Sequence, residues 1–184
     1  AYLDACSGTR DWYPEDMRFR TWLFGHMRAA SEQFGFHEYD APVLEHVELY
    51  EKKVEGSSED LLKQMYKFET GDDGRVTLRP EMTPSLARLI LNHTNLVTGE
   101  VKEALPLMWY SIPQCWRYET TQRGRKREHY QWNVDIAGEA GVCAELELLC
   151  VCAAFFARVG IGPAVVGIRV NSRRVLEALV RQAS

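Results

Sequence analysis

Phe19, Leu23, Met27, Ala30 and Phe34 recur at the three- and four-residue spacing of one helix face. Pro14 opens this helix at a position that tolerates proline, Glu15 and Asp16 suit its electropositive start, and Gly35 ends it. Residues 36–40 read as a strand closed by Pro42, and residues 45–55 as a short helix. Residues 65–70 alternate as a strand, Gly71-Asp72-Asp73-Gly74 is a turn, and residues 75–79 return as the second arm of a hairpin. Thr83 is placed to cap a helix over residues 84–93, with Pro84 at its first position. Residues 105–112 form a nearly continuous apolar strand. Residues 143–159 form a helix apolar on several sides, and so expected to be buried on several sides. Residues 165–171 read as a strand, and Ser172 as the cap of a last helix. Strands joined by hairpins, with helices to one side, predict an α+β fold in which an antiparallel sheet is backed by helices.

The densest chemistry lies in residues 116–135. Residues i and i+2 of a strand share a face. One face therefore carries His129, Gln131, Asn133 and Asp135, and the other Tyr130, Trp132, Val134 and Ile136. The same parity groups Arg117 with Glu119, and Trp116 with Tyr118. Between the two segments runs a glycine-bearing loop in which Arg123, Arg125, Lys126 and Arg127 crowd together. Two adjacent strands of this kind make a floor that is dry beneath and reactive above, and the loop invites an anion such as a triphosphate. A half-exposed hairpin with a solvated polar face and a mobile basic tip shows the same alternation.

Charge and composition narrow the picture. The formal net charge of −4 argues against a domain that coats nucleic acid, though not against a local basic site. A length of 184 residues suits one domain, or one domain with an edge, and supports a true core. The five cysteines are odd in number and lack zinc-site spacing, so reduced thiols are expected, with Cys150 and Cys152 as small core residues. His26, His37, His46 and His93 show no metal-ligand spacing, and no metal site is expected. No signal peptide is evident, and no apolar run is long enough to span a bilayer, so no membrane partner is expected. No glycine-rich phosphate loop of the P-loop or dinucleotide-binding kind is present, so any ATP is held in another way.

Three blocks point to a family. The helix, strand and proline of residues 18–45 resemble motif 1 of the class II aminoacyl-tRNA synthetases. Thr77-Leu78-Arg79-Pro80-Glu81-Met82-Thr83 resembles the histidine-binding strand end of the histidyl-tRNA synthetase family. Arg117-Tyr118-Glu119, with the run from Gly124 to Gln131, resembles motif 2 in its histidyl form. Asp135-Ile136-Ala137-Gly138 and the segment starting at Val170 are similar to the same family.

The resemblance implies that residues 1–184 are a partial class II catalytic domain, with motifs 1 and 2 but neither motif 3 nor an anticodon-binding domain, inactive in adenylation when alone. It implies activation of histidine with ATP (and Mg2+ accompanying the nucleotide), followed by transfer to tRNA(His). Arg117 would be the catalytic residue at the α-phosphate. Arg125, with Arg127 beside it, would serve the outer phosphates. Glu119 would hold the adenine edge, and His129 would stack on adenine where much of the family has phenylalanine. Glu81, Thr83 and Gln131 would hold the α-ammonium of histidine, and Asp135 would read its imidazole. The motif 1 region, with Phe19, Trp22, Phe24 and Phe34, would form a homodimer seam. A cytoplasmic or organellar location is implied. Other readings of the resemblance are a non-catalytic synthetase-like regulatory or sensor protein and a glycyl-type synthetase; the spacing from Gly124 to Gln131 argues against the latter.

Overall fold

The computed structural model describes residues 3–51, 59–94, 102, 104–173, 175 and 180–181. Helix α1 spans Pro14–Gln33, with Glu15 and Asp16 in its first turn. Gly35, at φ +80°, closes it, its N–H donating to Glu32 O at 3.0 Å. Strand β1 (His37–Glu38) then runs parallel to β5 (Leu107–Ser111), which pairs antiparallel with β8 (Asn133–Ala137). A second sheet sets β4 (Gly74–Leu78) between β2 (Leu44–His46) and β3 (Tyr66–Thr70), all antiparallel. The third is the hairpin of β6 (Gln114–Trp116) and β7 (Glu128–Tyr130). The remaining helices are α2 (Glu48–Glu51), α3 (Glu59–Lys63), α4 (Thr83–His93) and α5 (Val142–Arg158). The α+β class expected from the pattern is the one found.

The alternation in β5 and β8 decides where the main core sits. Ala30 and Phe36 meet Tyr110 and Val151, with Met108, Trp132, Val134, Ile136 and Phe155 packed round them. Helices α1 and α5 therefore cover one face of the β1-β5-β8 sheet. Trp132 Nε1 crosses into α1, donating to the wholly buried Ser31 Oγ at 3.1 Å. A smaller cluster of Val47, Tyr50 and Met65 underlies the β2-β4-β3 sheet.

Four expectations need correction. Glu45 lies in β2, and the helix expected from that position begins only at Glu48; residues 52–55 fall outside the described set. The cause is a buried ion pair: Glu45, 4% exposed, is bound by Arg88 and Ser85 of α4, the latter at 2.8 Å, which holds β2 extended against β4. Thr83 is not a cap but the first residue of α4; Met82 holds the cap position and makes no side-chain cap bond.

Residues 165–171 pair with no other strand among the described residues, and Val165, Ile168 and Val170 stand exposed, whereas Ser172 does accept the Val175 N–H through Oγ at 3.4 Å. Helix α5 uses only one face against the sheet, through Leu148, Val151 and Phe155, so Val142, Leu146 and Cys150 are exposed and Cys152 only partly buried. Cys115 in β6 is the buried cysteine.

Arg79 joins the three sheets. Its side chain is 3% exposed and donates from Nε to Gln114 O at 2.9 Å, and from Nη1 to Asp40 Oδ1 at 2.9 Å and Ala41 O at 2.6 Å. Its backbone N–H donates to Val43 O, and its carbonyl accepts from Trp116 N. Its removal leaves the Gln114 and Ala41 carbonyls unpaired, while the exposed Asp40 carboxylate returns to water. Arg79→Ala is expected to destabilise the domain by about 1–3 kcal/mol for each buried carbonyl left unpaired, read as a lowered denaturant midpoint, while Arg75→Ala in the exposed pair with Glu51 leaves the midpoint nearly unchanged. Equal midpoints for the two variants would contradict the central role of Arg79.

Candidate functional site

The β6–β7 hairpin carries most of the candidate residues. Arg117 is the first residue beyond β6, and its N–H donates to Arg127 O at 2.8 Å, adding one rung to the ladder. Its Nε donates to Pro80 O at 3.1 Å. That bond ties the guanidinium to the segment bearing Glu81 and leaves its terminal nitrogens available. The loop turns tightly between Gln122 and Arg125, with Gly124 at φ +82°. Only glycine adopts that conformation readily. Arg125 Nη1 lies 3.6 Å from Glu119 Oε2, with Arg125 66% exposed against 19% for Glu119.

A cleft of about 320 Å³ is lined by Arg117, Glu119, Gly124, Arg125, Lys126 and His129. Four of the predicted nucleotide ligands are thus gathered round one space. His129 is half-buried there. Burial holds its pKa below the usual value, Arg117 pushes the same way, and Glu119 pulls back. The imidazole is therefore a neutral, flat surface at physiological pH.

Arg127 goes elsewhere. Its guanidinium lies 4.1 Å from the Tyr118 ring centroid, and Nε and Nη1 donate to Glu119 O and Ser7 O. Its N–H donates to Gly8 O at 2.9 Å, and a Cβ on Gly8 (φ +83°) would stand 2.6 Å from Arg127 Cγ. The expected place of Arg127 beside the outer phosphates is therefore corrected: it docks the N-terminal segment onto the hairpin and does not line the cleft. Glu128, which the pattern did not single out, does related work. Only 8% exposed, it accepts from Arg10 N at 3.1 Å and from Gln114 Nε2 at 3.0 Å. The sole signal for it was its position between the basic loop and the polar face.

The predicted amino-acid ligands gather in part. Gln131 follows β7, its N–H bound to Pro113 O, and its Oε1 lies 3.6 Å from Cys115 Sγ. Burial pushes the Cys115 thiol up to about 11, and the charges of Arg79, Arg117 and Glu81 all act on it, which places Glu81, Cys115 and Arg117 in one neighbourhood. Thr83 is exposed at the head of α4, two residues beyond Glu81.

Asp135 sits opposite Trp109 in β8, half-buried; burial raises its pKa, and its Oδ2 is enclosed without a hydrogen-bond partner. The Tyr39 phenol and the Ser111 hydroxyl stand beside each other on the same face, Ser111 partly offsetting the rise that burial imposes on the phenol. Sequence reasoning missed both; the one available signal was Ser111, a hydroxyl within an apolar strand. Among the described residues no three of His, Cys, Asp and Glu come together as a metal site would need, and no helix is long and apolar enough to cross a membrane.

The profile of the family described as histidyl-tRNA synthetase matches residues 8–184. A histidine–tRNA ligase of Arabidopsis thaliana, named chloroplastic/mitochondrial, is 49% identical over 95% of the chain and 34% of its own length. One from Thermoplasma volcanium is 38% identical over 97% of the chain and 39% of its own length. The chain thus spans little more than a third of the curated relatives it matches. Among solved structures, the histidyl-tRNA synthetase of Nostoc matches with a TM-score of 0.69 at 21% identity, covering 87% of this chain and 35% of that one. A Bacillus halodurans protein, titled ATP phosphoribosyltransferase regulatory subunit/histidyl-tRNA synthetase, matches with a TM-score of 0.70 at 22% identity, covering 88% of this chain and 39% of that one.

The opposed charges beside His129 have a measurable consequence. Its folded pKa is depressed, so the stability tied to its neutral form is full above the ordinary value of 6.5 and is lost as pH falls from there through the lower folded value. In an NMR titration, Arg117→Ala is expected to raise the His129 pKa and Glu119→Gln to lower it further. Insensitivity to both would place His129 away from the cleft.

Proposed function

Because the chain belongs to the histidyl-tRNA synthetase family, we propose that it forms part of the class II catalytic domain of a histidine–tRNA ligase. That enzyme joins histidine to ATP and passes the activated acyl group to tRNA(His). In the first step a carboxylate oxygen of histidine attacks the α-phosphorus. The bond to the bridging oxygen breaks, and pyrophosphate leaves with its electron pair. The negative charge at the α-phosphate calls for a cation fixed in advance. The observation that carries the proposal is Arg117, anchored through Nε on Pro80 O and bordering the same cleft as Glu119, Arg125 and His129. Arg117 is the proposed catalytic residue.

In this reading Glu119 takes the adenine edge, neutral His129 stacks on the ring, and the exposed Arg125 swings from Glu119 to the outer phosphates. Glu81 and Gln131, with Thr83 beside them, supply acceptors to the α-ammonium, and Asp135 accepts from the imidazole. Mg2+ would travel with the phosphates of ATP. The exposed stack of Phe19 on Trp22, at 62% and 47%, supports a homodimer seam along α1. The compartment is the cytoplasm or an organelle, the latter in keeping with the Arabidopsis relative's name.

The test is histidine-dependent ATP–pyrophosphate exchange by the full-length protein that carries this chain. Arg117→Ala is expected to lower the exchange rate by roughly two to three orders of magnitude; near-normal exchange would remove Arg117 from the reaction. Asp135→Ala is expected to relax discrimination against other amino acids, because no buried carboxylate is then left unpaired when they bind. Unchanged selectivity would show that the imidazole is read elsewhere.

A further inference from the structure

Strand β7 has a strand neighbour on one side only. It pairs with β6 in a sheet of two strands, and a hairpin of that size is marginally stable by itself. Arg79 holds the β6 arm through Gln114 O and the Trp116 N–H. The β7 arm is held by the chain ahead of α1. Cys6 O accepts from Thr9 N–H at 2.9 Å and from Thr9 Oγ1 at 2.7 Å, which closes a turn with Gly8 at φ +83°. The turn offers Gly8 O to the N–H of Arg127, the residue that enters β7. Arg10 N–H donates to Glu128 Oε1 at 3.1 Å. The other oxygen of this buried carboxylate accepts from Gln114 Nε2 of β6 at 3.0 Å. The Trp12 ring then meets Tyr130 edge-on at 6.4 Å. Arg20 of α1 locks that contact: its guanidinium lies 4.6 Å from the Trp12 ring centroid, and Nη1 donates to Tyr130 Oη at 2.8 Å.

Residues 8, 10 and 12 thus meet residues 127, 128 and 130 in turn. The alternation of β7 decides what this achieves. Glu128 and Tyr130 point to one face of the strand and His129 to the other. Both neighbours of His129 are therefore fixed from behind, by residues that do not line the cleft. The imidazole between them borders the cleft with Arg117, Glu119 and Arg125.

Resting on the proposed reading of that cleft as the nucleotide site, we propose that residues 8–12 are a positioning element for ATP, acting through Glu128 and Tyr130 to hold the His129 ring where adenine stacks. A ring already fixed in its bound orientation loses no further freedom when the base arrives, which favours binding. The segment itself touches no substrate. It differs from a general stabiliser in what it protects, which is one ring and so one substrate.

The test uses Gly8→Ala and Tyr130→Phe in the full-length protein carrying this chain, with histidine-dependent pyrophosphate exchange measured against ATP and against histidine. A Cβ on Gly8 would stand 2.6 Å from Arg127 Cγ, so Gly8→Ala shifts the segment off β7. It is expected to raise KM for ATP by about tenfold, the order of a lost base–aromatic stack, with KM for histidine unchanged. Tyr130→Phe keeps the ring and removes only the oxygen that Arg20 binds. It is expected to act in the same direction more weakly, and it decides the matter if the Gly8 variant does not fold. His129→Ala is expected to raise KM for ATP by a similar factor, and either substitution to add little on top of it, because each removes the same stack. A purely structural role would lower kcat through the folded fraction and leave both KM values in place, and that result overturns the proposal. So do effects that add to that of His129→Ala, or a rise in KM for histidine equal to that for ATP. If the unsubstituted protein shows no exchange with histidine, the functional reading itself fails; if it exchanges normally and His129→Ala alone raises KM for ATP, only this inference is lost.

Discussion

The structure turns on one buried guanidinium. Arg79 reaches the chain after β1 through Asp40 and Ala41, the entry to β2 through Val43, and β6 through Gln114 and Trp116. Three small sheets that share no strand are thereby held in one arrangement. A guanidinium is suited to this because its planar fork of donors can satisfy several carbonyls at once, which an ammonium on a flexible stem cannot do in fixed directions. The residues after each anchoring point are the site's own. Pro80 and Glu81 follow Arg79 directly, and Arg117 follows Trp116, whose N–H is bound to the Arg79 carbonyl. The bond from Arg117 Nε to Pro80 O then closes a short circuit between the two halves. Arg79 therefore sets the spacing of the candidate site without belonging to its chemistry.

Around that frame, the electrostatics of the site are prepared rather than satisfied. Burial pushes against the charged forms of His129 and Asp135 alike. The exposed Arg125 keeps a loose pairing with Glu119, while Arg127, with its stacked ring and backbone bonds, is committed to holding the N-terminal segment. Cations of the same loop thus divide between structure and function. That division follows from what each can reach: Gly8 leaves room for the stem of Arg127, and Gly124 turns Arg125 toward the cleft.

Much of this was legible in the sequence where a local rule and the tertiary fold agree. Pro14, the acidic first turn and Gly35 bound α1 in the sequence and in the fold. The period of two marked Trp132, Val134 and Ile136 as core side chains, but the single strand expected over residues 129–135 is broken at Gln131 and Trp132 into β7 and β8, which belong to different sheets, so His129 and Asp135 do not share one strand face. What local pattern could not carry depends on distant partners. Glu45 belongs to a strand because Arg88 and Ser85 draw its carboxylate inward, a contact some forty residues away. The alternation of residues 165–171 lacks a strand partner among the described residues, and the apolar character of α5 exceeds the surface the sheet offers it. Tyr39 and Ser111 became visible only once the register of β1 on β5 was known.

The most direct measurement is a crystal structure of the full-length protein with a non-hydrolysable histidyl-adenylate analogue. The account predicts the phosphate mimic on Arg117, adenine between Glu119 and His129, and the imidazole beside Asp135, with Arg79 keeping its bonds. An analogue bound away from the hairpin cleft, or an imidazole bound away from Asp135, would contradict it.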